Sequence, residues 1–123
     1  MSNGQENEGT FVYKKGAPGI PRKLAEGVFS RVFFGEQVML SIVTIEPHTE
    51  APIHSHPNEQ WGYLLEGEWE RIQEGKSARC VAGDFWHTPG GAEHGGRTLE
   101  KGAVILDIFS PPREDYKITN LPG

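Results

Sequence analysis

The sequence predicts an all-β chain folded as a sandwich or barrel. Short runs of β-branched and aromatic residues recur along it, such as Val28-Phe-Ser-Arg-Val-Phe-Phe34 and Ala103-Val-Ile-Leu-Asp-Ile-Phe109. Turns built from Gly and Pro separate these runs, as at Pro89-Gly-Gly91 and Pro111-Pro112. No stretch of useful length carries the apolar spacing of an amphipathic helix.

Taken in order, residues 1–10 are polar and are expected to form a disordered tail, with one domain over 11–123. Phe11-Val-Tyr13 reads as an edge strand, and Gly16-Ala-Pro-Gly-Ile-Pro21 as a loop. Val28 to Phe34 is a strand ending at Gly35. Gln37 to Ile45 is a strand with apolar residues on both faces. Val38, Leu40 and Ile42 share one face, and Met39, Val43 and Ile45 the other. A small barrel has one interior, so the second face predicts a homodimer contact. Pro47 to Pro57 is a loop. Gln60, Gly62 and Leu64 then share one face, with Trp61, Tyr63 and Leu65 on the opposite one. Gly67 is expected to turn the chain, with Trp69 to Ile72 returning and Glu74-Gly75-Lys76 forming a hairpin loop. Ala78–Val81 is a short strand, the turn at Gly83-Asp84 leads into Phe85-Trp86-His87-Thr88, and Ala103–Phe109 is the clearest buried strand. Residues 114–123 read as a polar tail.

A chain of 123 residues fits one domain with a core of its own. No apolar run is long enough for a transmembrane helix. The first ten residues have neither the basic start nor the apolar stretch of a secretory signal. Cys80 is the single cysteine, which excludes an intramolecular disulfide and points to a reducing cytoplasm. The net charge of −5, with both signs interspersed, argues against a nucleic-acid surface. An anionic substrate therefore needs a specific local cation.

Chemistry concentrates in His54-Ser-His56-Pro-Asn-Glu-Gln60. Two histidines two apart on an extended segment turn their rings to one side. Gln60 reaches the same point if Pro57 and Asn58 bend the chain. Imidazole nitrogens and a carboxamide oxygen suit a divalent transition metal. The alternative is a surface histidine beside a turn-capping one. A second candidate is Asp107, a carboxylate inside an apolar strand, where burial without a partner is costly. It is either a structural Asp bonded to backbone amides or a proton-transfer group with a displaced pKa. Phe109 shares its face. Arg113 follows the rigid Pro111-Pro112 and offers a planar fork suited to a carboxylate. Its alternative is an ion pair with Glu114 or Asp115.

The segment resembles the first motif of the cupin family, Gly-x5-His-x-His-x3–4-Glu-x6-Gly. His54, His56 and Gly67 fall in register, and the six-residue gap to Gly67 puts Gln60, not Glu59, at the Glu position. His48 replaces the opening Gly, so a different turn is expected there. Gly83, Pro89, Gly91 and His94 match the second motif, Gly-x5-Pro-x-Gly-x2-His-x3-Asn, with Thr98 in place of Asn. The resemblance implies a single-domain double-stranded β-helix, or jelly-roll barrel. It also implies one divalent metal (Ni, Fe, Mn, Co or Zn) held by His54, His56, Gln60 and His94. His48 and His87 are expected to lie outside that set.

A narrower resemblance comes from Leu106-Asp-Ile-Phe-Ser-Pro-Pro-Arg-Glu-Asp-Tyr116 together with His-Ser-His-Pro-Asn-Glu-Gln60. Both are similar to the small pectin-degradation cupins that convert 4,5-unsaturated uronates to linear keto sugars. That resemblance implies a small anionic sugar substrate, with Asp107, Phe109 and Arg113 as the further active-site residues. Asp107 would shuttle a proton, Arg113 would hold the carboxylate or a ring hydroxyl, and Phe109 would form an apolar wall. Trp86 is expected near the pocket rim. Two competing readings are another metal-dependent cupin enzyme, such as a dioxygenase or lyase, and a non-catalytic cupin that binds a small ligand.

Overall fold

The structure, a computed structural model, describes residues 7–8 and 11–117. Among these, strands dominate: β1 (Asn7–Glu8), β2 (Val12–Tyr13), β3 (Ile20–Ala25), β4 (Val28–Phe34), β5 (Met39–Ile45), β6 (Glu50–His54), β7 (Glu59–Gln73), β8 (Lys76–Val81), β9 (Phe85–Thr88), β10 (His94–Arg97) and β11 (Ala103–Ser110). A single 3-10 turn, η1 (Glu114–Lys117), follows. The main sheet runs β3-β4-β5-β11-β7-β10-β6, with β8 and β9 also paired to β7. Curled on itself, it forms the jelly-roll barrel. No helix among the described residues is long and apolar enough to cross a membrane.

The long strand β7 joins the two halves of the barrel. Its first part, residues 59–67, pairs with β11 and β9. Its second part, residues 68–73, pairs with β8 and β10. Gly67 therefore bends the strand where a reversal of the chain is expected from the sequence. Its φ is 88°, and an added Cβ would lie 1.9 Å from the Gly102 carbonyl oxygen. Just before it, the register against β11 shifts between Val104 and Ile105, leaving Leu65 without an opposite residue. This bulge inverts the inward parity. Gln60, Gly62 and Leu64 are buried before it, and Trp69 and Arg71 after it.

Other expectations meet mixed outcomes. The strand over Val28–Phe34 forms as read, and β5 is shorter than read by two residues at its start. Ile20–Ala25 is a strand where a loop is expected over its first two residues; Pro21 is tolerated because β3 ends the strand order. Val12–Tyr13 pairs only with Asn7–Glu8, as a separate two-stranded ribbon. Asn7–Glu8, which fall within the expected tail, take part in that pairing; the tail's remaining residues lie outside the described ones. The polar tail is corrected at Tyr116, which is buried against Phe109. Residues 118–123 lie outside the described residues.

Two core clusters form. Val28, Val43, Ile45, Leu64, Trp69, Cys80, Ala103 and Ile105 make one, and Val32, Met39, Phe109 and Tyr116 the other. A cavity lies between them, lined by members of both. The second face of β5 stays open, with Leu40 36% exposed and Val38, just before the strand, 43% exposed.

Candidate metal centre

Pairing of β6 with β10 sets His94 opposite His54. His56 sits in the bend between β6 and β7, where its carbonyl accepts from Gly91 N–H. Gln60, the second residue of β7, faces inward. One ligand nitrogen from each of His54, His56 and His94 lies within 4.8 Å of the others. Each ring donates Nδ1–H to a backbone carbonyl two residues away: His54 to Pro52 at 2.9 Å, His56 to Asn58 at 3.1 Å, His94 to Ala92 at 2.8 Å. These bonds select the tautomer that leaves Nε2 without a proton. Burial lowers the pKa of all three rings, that of His94 to about 3. They are therefore neutral at pH 7.

The donor set fits a cation. His56 Nε2 and Gln60 Oε1 lie 3.0 Å apart. With Nδ1 donating to Asn58, Nε2 is an acceptor. The Gln60 amide group bonds to Asp107, and an ionised carboxylate accepts only, so Oε1 is what faces the histidine. Two acceptors at this distance repel unless a positive charge lies between them. The separation matches two neighbouring donors each about 2.1 Å from one ion. His94 Nε2 is buried with no hydrogen-bond partner, an orphan that the same ion would satisfy. Glu59, one residue before Gln60, points outward and pairs with His87 at 2.7 Å. His48 lies outside the cluster, at φ 52°. It holds the left-handed conformation that a glycine adopts freely, so the turn persists despite the substitution.

Asp107 lies inside the barrel on the cavity wall. Burial pushes its pKa up to about 6, against the pull of Arg71, the Gln60 hydrogen bond and Arg113. Phe109 packs edge-on against His56, ring centroids 5.4 Å apart, and lines the same cavity. Arg113 is buried but engaged, its Nη2 on Asp115 at 2.9 Å and its Nη1 on the Tyr116 hydroxyl at 3.3 Å. It is not among the residues on the cavity wall. Trp86 is half-buried and lines the cavity, lying across Gly62, where a Cβ would meet Nε1 at 2.2 Å. Sequence reasoning missed Arg71, Trp69 and Tyr116, which also line the cavity. The alternation of Trp69 and Arg71 was the available signal, but the bulge at Leu65 hides its phase.

The cavity measures about 80 Å³. One water needs at least about 10–15 Å³ by this measure, so the cavity has room for several waters or a small ligand. The family described as a cupin domain matches residues 41–109. The pectin degradation protein KdgF of Dickeya dadantii (strain 3937) is 27% identical over 96 residues, which cover 76% of this chain and 87% of that protein. Among solved structures, KdgF from Halomonas sp. aligns with a TM-score of 0.73 at 26% identity, covering 78% of this chain and 89% of that one. An RmlC-like cupin from Shewanella frigidimarina NCIMB 400 aligns with a TM-score of 0.75 at 26% identity, covering 84% and 93%. The barrel, the clustered histidines and a match spanning more than half the chain agree: this protein belongs to the cupin family.

Proposed function

We propose that this cupin is a metal-dependent enzyme that opens the ring of 4,5-unsaturated uronate monosaccharides and ketonises them. The observation that carries the reading is the cluster of three neutral histidines and Gln60, with a buried carboxylate, Asp107, on the wall of the cavity that His54, Gln60 and His94 line. Similarity to two KdgF proteins, one of them described as a pectin degradation protein, supports it.

His54, His56, Gln60 and His94 would hold one divalent ion, which when bound supplies Lewis acidity toward ligand oxygens. Because Gln60 is uncharged, none of the ion's charge is cancelled by its ligands. The remaining work falls to the chain. Ring opening removes the proton from O1 and breaks the C1–O5 bond, leaving an aldehyde at C1 and an enolate at C5; a proton added at C4 then gives the C5 ketone. Asp107, ionised at neutral pH with a pKa of about 6, takes the first proton and returns one to C4. No electrons are gained or lost. Phe109 supplies an apolar wall and holds His56 in place. Arg113, tied to Asp115 and Tyr116, packs its guanidinium over the Phe109 ring at 5.6 Å and steadies that wall.

The chain's partner in this reading is a second copy of itself. Two grooves on the outer face, of about 580 and 230 Å³, share Leu106 and are lined largely by apolar residues. A cytoplasmic home rests on the single buried cysteine.

The test is loss of the 4,5-double-bond absorbance when purified, metal-loaded protein meets unsaturated galacturonate or its alginate-derived counterpart. Loss proportional to protein is expected, and His56→Ala should abolish it by releasing the metal. No loss with any of Ni, Fe, Mn, Co or Zn would sink the reading.

A further inference from the structure

A buried cation is costly unless something offsets the water it loses. Arg71 is 7% exposed, and it lines the cavity together with His54, Gln60, His94 and Asp107. Its Nη2 donates to Thr88 Oγ1 at 2.6 Å and its Nε to Gln73 Oε1 at 3.3 Å. Thr88 donates to the same Gln73 oxygen at 2.8 Å, and Gln73 Nε2 donates to the His87 carbonyl at 2.9 Å. These bonds hold the guanidinium plane still. None of its partners carries a charge, and Nη1 makes no hydrogen bond among the described residues. Asp107 feels the charge of Arg71 from the same cavity. Yet no ion pair to Arg71 within 4.0 Å forms among the described residues. A fixed cation without an ion-pair partner therefore shares a small cavity with a carboxylate it does not touch.

Arg113 also acts on Asp107 and His56 through its charge, but it differs in its partners and its position. Asp115 balances its charge, the Tyr116 hydroxyl takes Nη1, and it is absent from the cavity wall.

We propose that Arg71, and not Arg113, receives the carboxylate of an anionic sugar in this cavity and so selects sugar acids over neutral sugars. The proposal rests on the uronate reading and names its anion-binding residue. In such a ligand the carboxylate sits on C5, next to the carbon that is protonated. An anchor at Arg71 thus keeps that carbon in the cavity it shares with Asp107. A neutral sugar in the same position would leave Nη1 without an acceptor, the cost that makes a polar site discriminate.

Calorimetric titration of the metal-loaded protein with galacturonate, and separately with galactose, tests this without turnover. Wild type should prefer galacturonate, and Arg71→Gln should lower that affinity by at least about 10-fold, the scale of one charge-assisted hydrogen bond. Galactose binding and metal content should be unchanged. If Arg71→Gln does not fold, Arg71→Lys carries the test. Lysine keeps the charge but loses the fork, so galacturonate should again weaken selectively. Equal affinities of wild type for the two sugars, undiminished galacturonate binding by the folded variant, equal losses for both sugars, or loss of the preference in Arg113→Gln would each overturn the proposal. Selective binding through Arg71 without consumption of an unsaturated uronate would instead sink the catalytic reading and leave Arg71 as assigned.

Discussion

Single residues set the chemistry by their surroundings. Asp107 is pushed up to about 6 by burial, while Arg71 and Gln60 keep it from rising further. Asp107→Asn keeps the shape and the bond to Gln60 but removes the exchangeable proton. The variant should fold and hold its metal, and its turnover of unsaturated uronate should fall by roughly 100-fold. Near wild-type turnover would make Asp107 structural. The histidines shift the opposite way. Their folded pKa values lie below the ordinary 6.5, that of His94 at about 3. Such groups contribute stability above pH 6.5 that is lost as pH falls toward the folded value. Asp107, with a raised pKa, gives stability below 3.8 that is lost as pH rises through about 6. Between pH 6.5 and 5, three groups act against one. Chelator-treated protein should therefore melt lower at pH 5 than at pH 7.5; an unchanged midpoint would contradict the buried neutral rings. At His48, φ of 52° strains a β-carbon-bearing residue. His48→Gly should raise stability by about 1 kcal/mol in denaturant titration.

At the scale of elements, β7 controls the site. It contributes Gln60 before its bulge and Arg71 after it, and it pairs with β11, which carries Asp107 and Phe109. The bend at Gly67 makes both contributions face one cavity. A β-carbon there meets the Gly102 carbonyl oxygen at 1.9 Å in a positive-φ conformation. Gly67→Ala should cost about 2–5 kcal/mol. Because the bend sets where Arg71 lies, the metal-loaded variant should also lose galacturonate affinity if it folds. Unaltered stability would mean that the bend does not depend on glycine.

For the whole molecule, the outer face of the sheet is the unbalanced feature. Val38, Leu40, Trp61, Tyr63, Leu65 and Phe85 are all exposed. A contiguous apolar surface of this kind is seldom left open in a monomer. Light scattering should give twice the mass of one chain at micromolar concentration, and Leu40→Glu should halve it, since the new charge would be buried at the contact. A wild-type monomer would refute the dimer.

Local sequence determined much of this protein. Strand-forming runs between Gly and Pro turns were enough for the barrel, because each turn is made by the residues within it. The segment His54 to Gln60 likewise declared its donors, since alternation and one bend bring them together. The Gln60 and Glu59 choice was also legible, from the spacing to Gly67. Tertiary structure alone decided where the cations lie. Extending the parity of Gln60, Gly62 and Leu64 along β7 puts Glu68 and Glu70 inside. The bulge at Leu65 reverses it and buries Arg71. That bulge arises from the register against β11, forty residues on, which no local pattern encodes. In sequence Arg113 offered either a fork for a ligand carboxylate or an ion pair with Glu114 or Asp115, and the turn at Glu114–Lys117 folds Asp115 and Tyr116 back onto it. A charge two residues away along the chain is silent about direction. Only the packing of Tyr116 against Phe109 decides which way it turns.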